Sequence, residues 1–298
     1  MAGTHMTMTF VLMSLRARVW VAFALWQITA PAYALPPQRI VSLNVCTDQI
    51  LVDLVPRERI AAVTHLAADA AISAAPGKLA GLPVSHGGAE DVLARNPDLI
   101  IAGAYTTPAT VDLLRRLGRR VVVVPLPQDV AGVRAVIAEM AEAVEEVGTG
   151  KALVADLDAR LALVRSRVAR QDAHPTALVY QINNYVAGRG TLVDEALQIA
   201  GLKNGGGGVR TFASGQTSLE AIISAPPDLI VLATRPDAYA TTVGDNLRHP
   251  ALQRLLQRLP NLVLPWPLWL CGTQHIATAI ETLAEARDAL LRMTQRTP

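Results

Sequence analysis

Cysteine is nearly absent: only Cys46 and Cys271 occur in 298 residues, which excludes a disulfide-dense miniprotein. An excess of either charge is missing as well. Lys+Arg number 27 against Asp+Glu 25, and neither this balance nor any Lys/Arg run supports the clustered basic surface that displaces counterions from nucleic-acid phosphates. No Ser-His-Asp order with a nucleophile elbow occurs, nor a recognisable zinc motif, and Gly205-Gly-Gly-Gly208 lacks the Lys-Ser/Thr that would make it a P-loop. Aromatic residues are only 4% of the chain. What is present is ample apolar content, 51%, with 17% charged residues, the balance of a folded globular protein.

Residues 1–34 read as a secretory signal peptide. Arg16 and Arg18 form a basic region, Val19 to Ile28 an apolar stretch too short to span a bilayer, and Ala32-Tyr33-Ala34 an A-x-A cleavage site. Met1 to His5 has the look of a cloning scar. Without the leader the expected mature chain carries 27 − 2 = 25 basic against 25 acidic residues, a net charge of zero. Cys46 lies beyond the cleavage site, so a soluble, Sec-exported periplasmic protein is expected, not a lipoprotein.

An internal repeat organises the rest. Gly88-Ala-Glu90-Asp-Val-Leu-Ala-Arg-Asn-Pro97-Asp98-Leu-Ile-Ile101 recurs as Ser218-Leu-Glu220-Ala-Ile-Ile-Ser-Ala-Pro-Pro227-Asp228-Leu-Ile-Val231, 130 residues later. Each copy predicts a short helix, a Pro-Asp turn and a strand buried on both faces. In the first half, β-branched runs at Arg39 to Val45, Ile60 to Thr64, Leu99 to Gly103 and Val121 to Pro125 alternate with helical patterns at Asp48 to Leu54, Glu90 to Arg95 and Thr107 to Leu117. In the second, strands are expected at Thr176 to Ile182, Leu229 to Ala233 and Leu262 to Pro265. Its helices are expected at Leu192 to Ala200, Leu219 to Ala225, Asn246 to Arg258 and Thr273 to Met293. The fold class is α/β, with two small α/β sandwich lobes of mainly parallel sheets, 35–148 and 172–298. A connecting helix over 149–171 joins them: Gly148-Thr-Gly150 is read as ending one helix, and Lys151 to Ala169 as an amphipathic strut about 28 Å long. Such a strut lets the lobes rock by a few degrees and holds the cleft floor fixed.

With Arg39-Ile-Val-Ser-Leu-Asn44, Glu90-Asp-Val-Leu-Ala-Arg-Asn-Pro-Asp98 and Leu247-Arg-His-Pro-Ala251, these features resemble the periplasmic substrate-binding proteins of ABC importers for ferric siderophores, heme and cobalamin. The resemblance implies a monomeric transport protein, not an enzyme, with no cofactor. Its partners are a metal chelate held between the lobes and a permease dimer in the inner membrane. It also implies that Glu90 and Glu220, heading the two repeated helices, dock against permease arginines. The local alternative is a favourable acid in the first turn of each helix.

Loops that follow the strands are the place to seek the ligand. They supply Cys46 and Thr47, His65, His86, Tyr105, Tyr185, Phe212, Arg235, Trp266, Trp269 and Cys271 as the candidate binding set. The aromatics offer flat apolar faces, and Arg235, with Arg189 and Arg210, a charge for an anionic chelate. Trp266 and Trp269 have the alternative of covering a sheet edge. Three readings of Cys46 and Cys271 stay open: an interlobe disulfide, a pair of soft metal ligands with His275, or buried thiols. On the second reading the chain is a secreted thiol or metal enzyme, or a bare zinc or copper carrier.

Overall fold

Asn44 ends the first strand and caps the first helix, its side-chain oxygen accepting from the Cys46 N–H at 2.8 Å. Strand β1 is therefore only Ile40–Ser42, and α1 starts at Val45, running to Leu54; the sequence pattern had kept Val45 in the strand. The structure, a computed structural model, describes residues 35–207, 215–233 and 245–295.

The first half continues with β2 (Ile60–Thr64), α2 (Pro76–Leu79), β3 (Val84–Ser85), α3 (Ala89–Ala94), β4 (Leu99–Gly103), α4 (Pro108–Arg116), β5 (Val121–Val124) and α5 (Val130–Ala143). Its sheet is parallel throughout, in the order β3-β2-β1-β4-β5. Helix α6 (Val147–Val168) leads to the second half. There β6 (Thr176–Tyr180), α7 (Leu192–Ile199), β7 (Lys203–Asn204), α8 (Leu219–Ser224), β8 (Leu229–Leu232), α9 (Asp245–Arg248), α10 (Pro250–Arg258), β9 (Asn261–Val263), α11 (Pro267–Leu270) and α12 (Ile276–Thr294) follow. The second sheet is also parallel, in the order β7-β6-β8-β9. Among the described residues no helix is long and apolar enough to cross a membrane.

The central strands are apolar on both faces because both are covered. Ile40, Leu99 and Ile101 face α1 and α5, while Val41, Ile100 and Ala102 face the opposite helix layer; all are fully buried. The repeat holds in three dimensions: α3 and α8, and the starts of β4 and β8, are each 130 residues apart. Each Pro-Asp turn also has a task. Asp98 accepts from the Gln38 and Arg39 N–H groups, and Asp228 from the Thr176 N–H at 2.7 Å, so each carboxylate anchors the start of the neighbouring central strand.

Three expectations are corrected. Gly148 and Gly150 do not end a helix; they lie inside the first turns of α6. The preceding helix stops at Ala143, where Glu145 takes a positive φ of 60°. The expected helix Asn246 to Arg258 is broken at His249, because Pro250 cannot donate to the turn before it and starts α10 instead. The last helix starts at Ile276, with the short α11 ahead of it.

Gly150 lets α6 lie close on α5, since a β-carbon there would stand 2.3 Å from the Ala141 Cβ. Gly150→Ala should lower stability by about 1–2 kcal/mol, overpacking outweighing the better helix propensity. A urea midpoint equal to or above that of the parent would contradict this.

Candidate functional site

The two halves share one continuous core, in which α1 and α5 pack with α6, α7 and α12. Polar ties cross the same junction. Glu195 of α7 accepts from the Val130 N–H at 2.7 Å and so caps α5 from the other half. Gln274 donates to the Gln49 carbonyl and to the Asp53 carboxylate, and Arg160 of α6 is doubly bonded to Glu281 of α12. These contacts tie the halves together on this side of the molecule.

Cys46 and Cys271 form a disulfide across that junction, with Cα atoms 4.9 Å apart. The bridge joins the first turn of α1 to the residue that ends α11, and the Gln49 amide donates to the Cys271 sulfur at 3.4 Å. Both sulfurs are thereby used, which overturns the readings of free thiols and of thiolate metal ligands. His275 does not join them in a metal set. Its imidazole is largely buried, which pushes its pKa down, and its Nε2 has no hydrogen-bond partner. Among the described residues no three His, Cys, Asp or Glu side chains are placed to hold an ion.

Next to the bridge a cleft of about 520 Å³ opens between the halves. Its first wall is the loop after β5, Leu126 to Gln128. The second is built from the loop after β6 (Gln181 to Tyr185), the start of α7, and Trp266, Trp269, Leu270 and Gly272 around α11. A recess of about 30 Å³ meets the cleft at Leu126 and Pro127 and is lined by Asn44, Cys46, Thr47, Tyr105 and Cys271. These loops leave the carboxyl ends of parallel strands, where open α/β sheets collect ligands. A larger concavity of about 690 Å³ lies on the second half alone, with Thr176, Pro226 and Pro227 at the entry ends of its strands. That position makes it the weaker candidate despite its size.

The candidate residues divide accordingly. Tyr185, Trp266 and Trp269 line the cleft, and Cys46, Thr47, Tyr105 and Cys271 the recess. Trp269 is 5% exposed and belongs chiefly to the core, with its indole N–H unpartnered, whereas Tyr105 is 80% exposed. His65 and His86 line neither cavity. They stack on each other, ring centroids 5.2 Å apart and planes 13° from parallel, beyond the ends of β2 and β3. Phe212 and Arg235, with Arg210, lie outside the described residues; Arg189 lines only the concavity of the second half. Gln128, Gln181 and Asn183 also line the cleft, and the first two were not among the expected residues. Their position directly after β5 and β6 was the available signal.

Glu90 and Glu220 are exposed in the first turns of α3 and α8. Backbone and Ser218 donors hold the Glu220 carboxyl below the usual carboxylate range, and the Ser218 hydroxyl accepts from the Ala221 N–H to cap α8. Glycine occupies the matching position ahead of α3.

Comparison with known proteins agrees with this architecture. The heme-binding protein RhuT from Roseiflexus sp. RS-1 superposes with a TM-score of 0.67 at 24% identity, over 85% of this chain and 99% of that one. The vitamin B12 binding protein BtuF of Vibrio cholerae gives 0.63 at 19% identity, over 86% and 98%. At such identities these structures establish the fold. A cobalamin-binding protein of Halobacterium salinarum is 26% identical over 210 residues, 70% of this chain; the match spans 57% of that relative's length. The sequence profile described as periplasmic binding protein matches residues 40–257. With two parallel sheets, a joining helix and this match over most of its length, the chain belongs to the periplasmic binding protein family.

Proposed function

We propose that the protein is a periplasmic solute-binding protein that captures a metal chelate between its lobes, 35–148 and 172–298, and delivers it to an ABC importer. The observation that carries this reading is the cleft of about 520 Å³ with one wall from each half, lined by Tyr185, Trp266 and Trp269 and adjoined by the recess that holds the covalent bridge. Its size suits a bulky ligand, and its mixture of apolar faces with a few polar groups suits specific capture. The relatives support a chelate: those named above bind cobalamin, heme and vitamin B12 by their names. The disulfide leaves neither Cys46 nor Cys271 as a free nucleophile, which favours binding over a thiol enzyme.

Delivery is assigned to Glu90 and Glu220, two exposed acids at repeat-equivalent positions, matched to a two-fold partner surface. Reversing both charges, Glu90→Lys with Glu220→Lys, should lower chelate uptake at least tenfold in cells while the dissociation constant of the purified protein changes less than twofold. Undiminished uptake, or loss of binding with it, would refute the assignment.

A further inference from the structure

The second wall of the cleft is braced from behind. Asn183 and Asn184 both take left-handed backbone, φ 57° and 58°, which turns the chain after β6 and lays Tyr185 and Val186 alongside residues 215–217. The two stretches pair antiparallel: the Val186 N–H donates to the Gly215 carbonyl at 3.0 Å, the Thr217 N–H to the Asn184 carbonyl at 2.9 Å, and Tyr185 stands opposite Gln216. The Gln216 side-chain amide adds a bond to the Asn183 carbonyl at 3.0 Å. Thr217 runs directly into Ser218, the cap of α8, so the ribbon that backs the cleft also leads to Glu220.

Tyr185 lines the cleft and is 38% exposed, and its ring lies against Gly215. A β-carbon at Gly215 would stand 2.6 Å from Tyr185 Cε2 and 3.2 Å from Cδ2 and Cζ, well inside contact distance, and the φ of 79° already favours glycine there. From this contact we infer that Gly215 is a positioning residue for ligand capture: lacking a side chain, it lets the Tyr185 ring lie back on the ribbon and keeps the cleft open. The inference rests on the functional reading above and adds a residue to its binding machinery. With a methyl group at Gly215 the ring is the part that yields. The backbone on both strands is held by ribbon bonds, and turning a half-exposed side chain costs less than breaking them. The ring then moves off the ribbon and into the cleft, where it takes space from the ligand.

Nitration by tetranitromethane, followed residue by residue with mass spectrometry on the ligand-free protein, tests the contact. Tyr105, 80% exposed, and Tyr180, fully buried, are internal references for a reactive and a protected ring. Gly215→Ala should raise the modification of Tyr185 relative to Tyr105 at least threefold while Tyr180 stays unmodified. Gly118→Ala, at a φ of 73° with nothing within 4 Å of the added methyl, bears the same backbone strain and should change that ratio less than twofold. An unchanged ratio in Gly215→Ala would overturn the inference, as would an equal rise in Gly118→Ala. If Tyr180 reacts too, the alanine variant has loosened the fold, and Gly215→Asn, which accepts left-handed backbone, takes its place with the same expected ratio. Tryptophan-quench titration with cyanocobalamin, hemin and a neutral ferric trihydroxamate tests the consequence for capture. For the probe that the parent binds tightest, Gly215→Ala should weaken binding at least tenfold, and less than twofold when Tyr185→Ala is already present. A tenfold loss that persists without the Tyr185 ring would show that Gly215 acts by another route and overturn the inference. Binding of none of the three by the parent would overturn the functional reading, and the nitration ratio would still decide the placement of Tyr185.

Discussion

Replacing both Cys46 and Cys271 by alanine should lower the stability of the oxidised protein by on the order of 5 kcal/mol. The bridge closes a sequence separation of 225 residues, nearly the whole described chain, so its removal restores a large conformational freedom to the unfolded state. The native state loses little by comparison. Glu195 still caps α5, Gln274 still reaches Asp53, and Arg160 still holds Glu281, so the halves remain joined through one core. The double variant should therefore unfold cooperatively at a lower denaturant midpoint. The reduced parent protein should fall to about the same midpoint. Equal midpoints for the oxidised parent and the double variant would show that the bridge adds nothing the core does not already supply.

The same bridge marks the limit of what the sequence discloses. Two cysteines so far apart, each after a strand, made an interlobe disulfide one of three open readings; only the placement of α1 against α11 selects it. The repeat was legible because the Pro-Asp turns and the apolar runs after them recur at one spacing, and helix order and parallel sheets followed from it. Edge strands β3 and β7 escaped notice because two residues display no period. The cross-half cap from Glu195 and the stacking of His65 on His86 were hidden for another reason: each depends on which surfaces meet, which local pattern does not encode. Trp269 is instructive in the same way. Its loop position suggested a ligand wall, yet α11 turns the ring inward, where it fills the core and gives the cleft only part of itself.

Asp48 opens the helical pattern Asp48 to Leu54 in the sequence, and in the structure it is fully buried between α1 and β2. Its Oδ2 accepts from the Thr64 N–H at 3.1 Å and the Thr64 hydroxyl at 2.6 Å, while Oδ1 has no partner. Burial pushes its pKa from 3.8 up to about 7, against the weaker downward pull of Ser42 and Thr64. Between these two values the folded protein keeps a proton that the unfolded chain has released, so folding loses stability as pH rises through that window and levels off above it. The slope is about 1.4 kcal/mol per pH unit, and the full loss on the order of 4 kcal/mol. Asp48→Asn keeps the shape and cannot ionise. Measured by urea unfolding at pH 4, 5.5, 7 and 8, the variant should gain on the parent by most of that amount between pH 4 and pH 7, with only a few tenths of a kcal/mol more at pH 8. A stability difference that stays constant across the series would mean that Asp48 ionises in the folded protein as readily as in water, and that the apolar contact between α1 and β2 admits solvent after all.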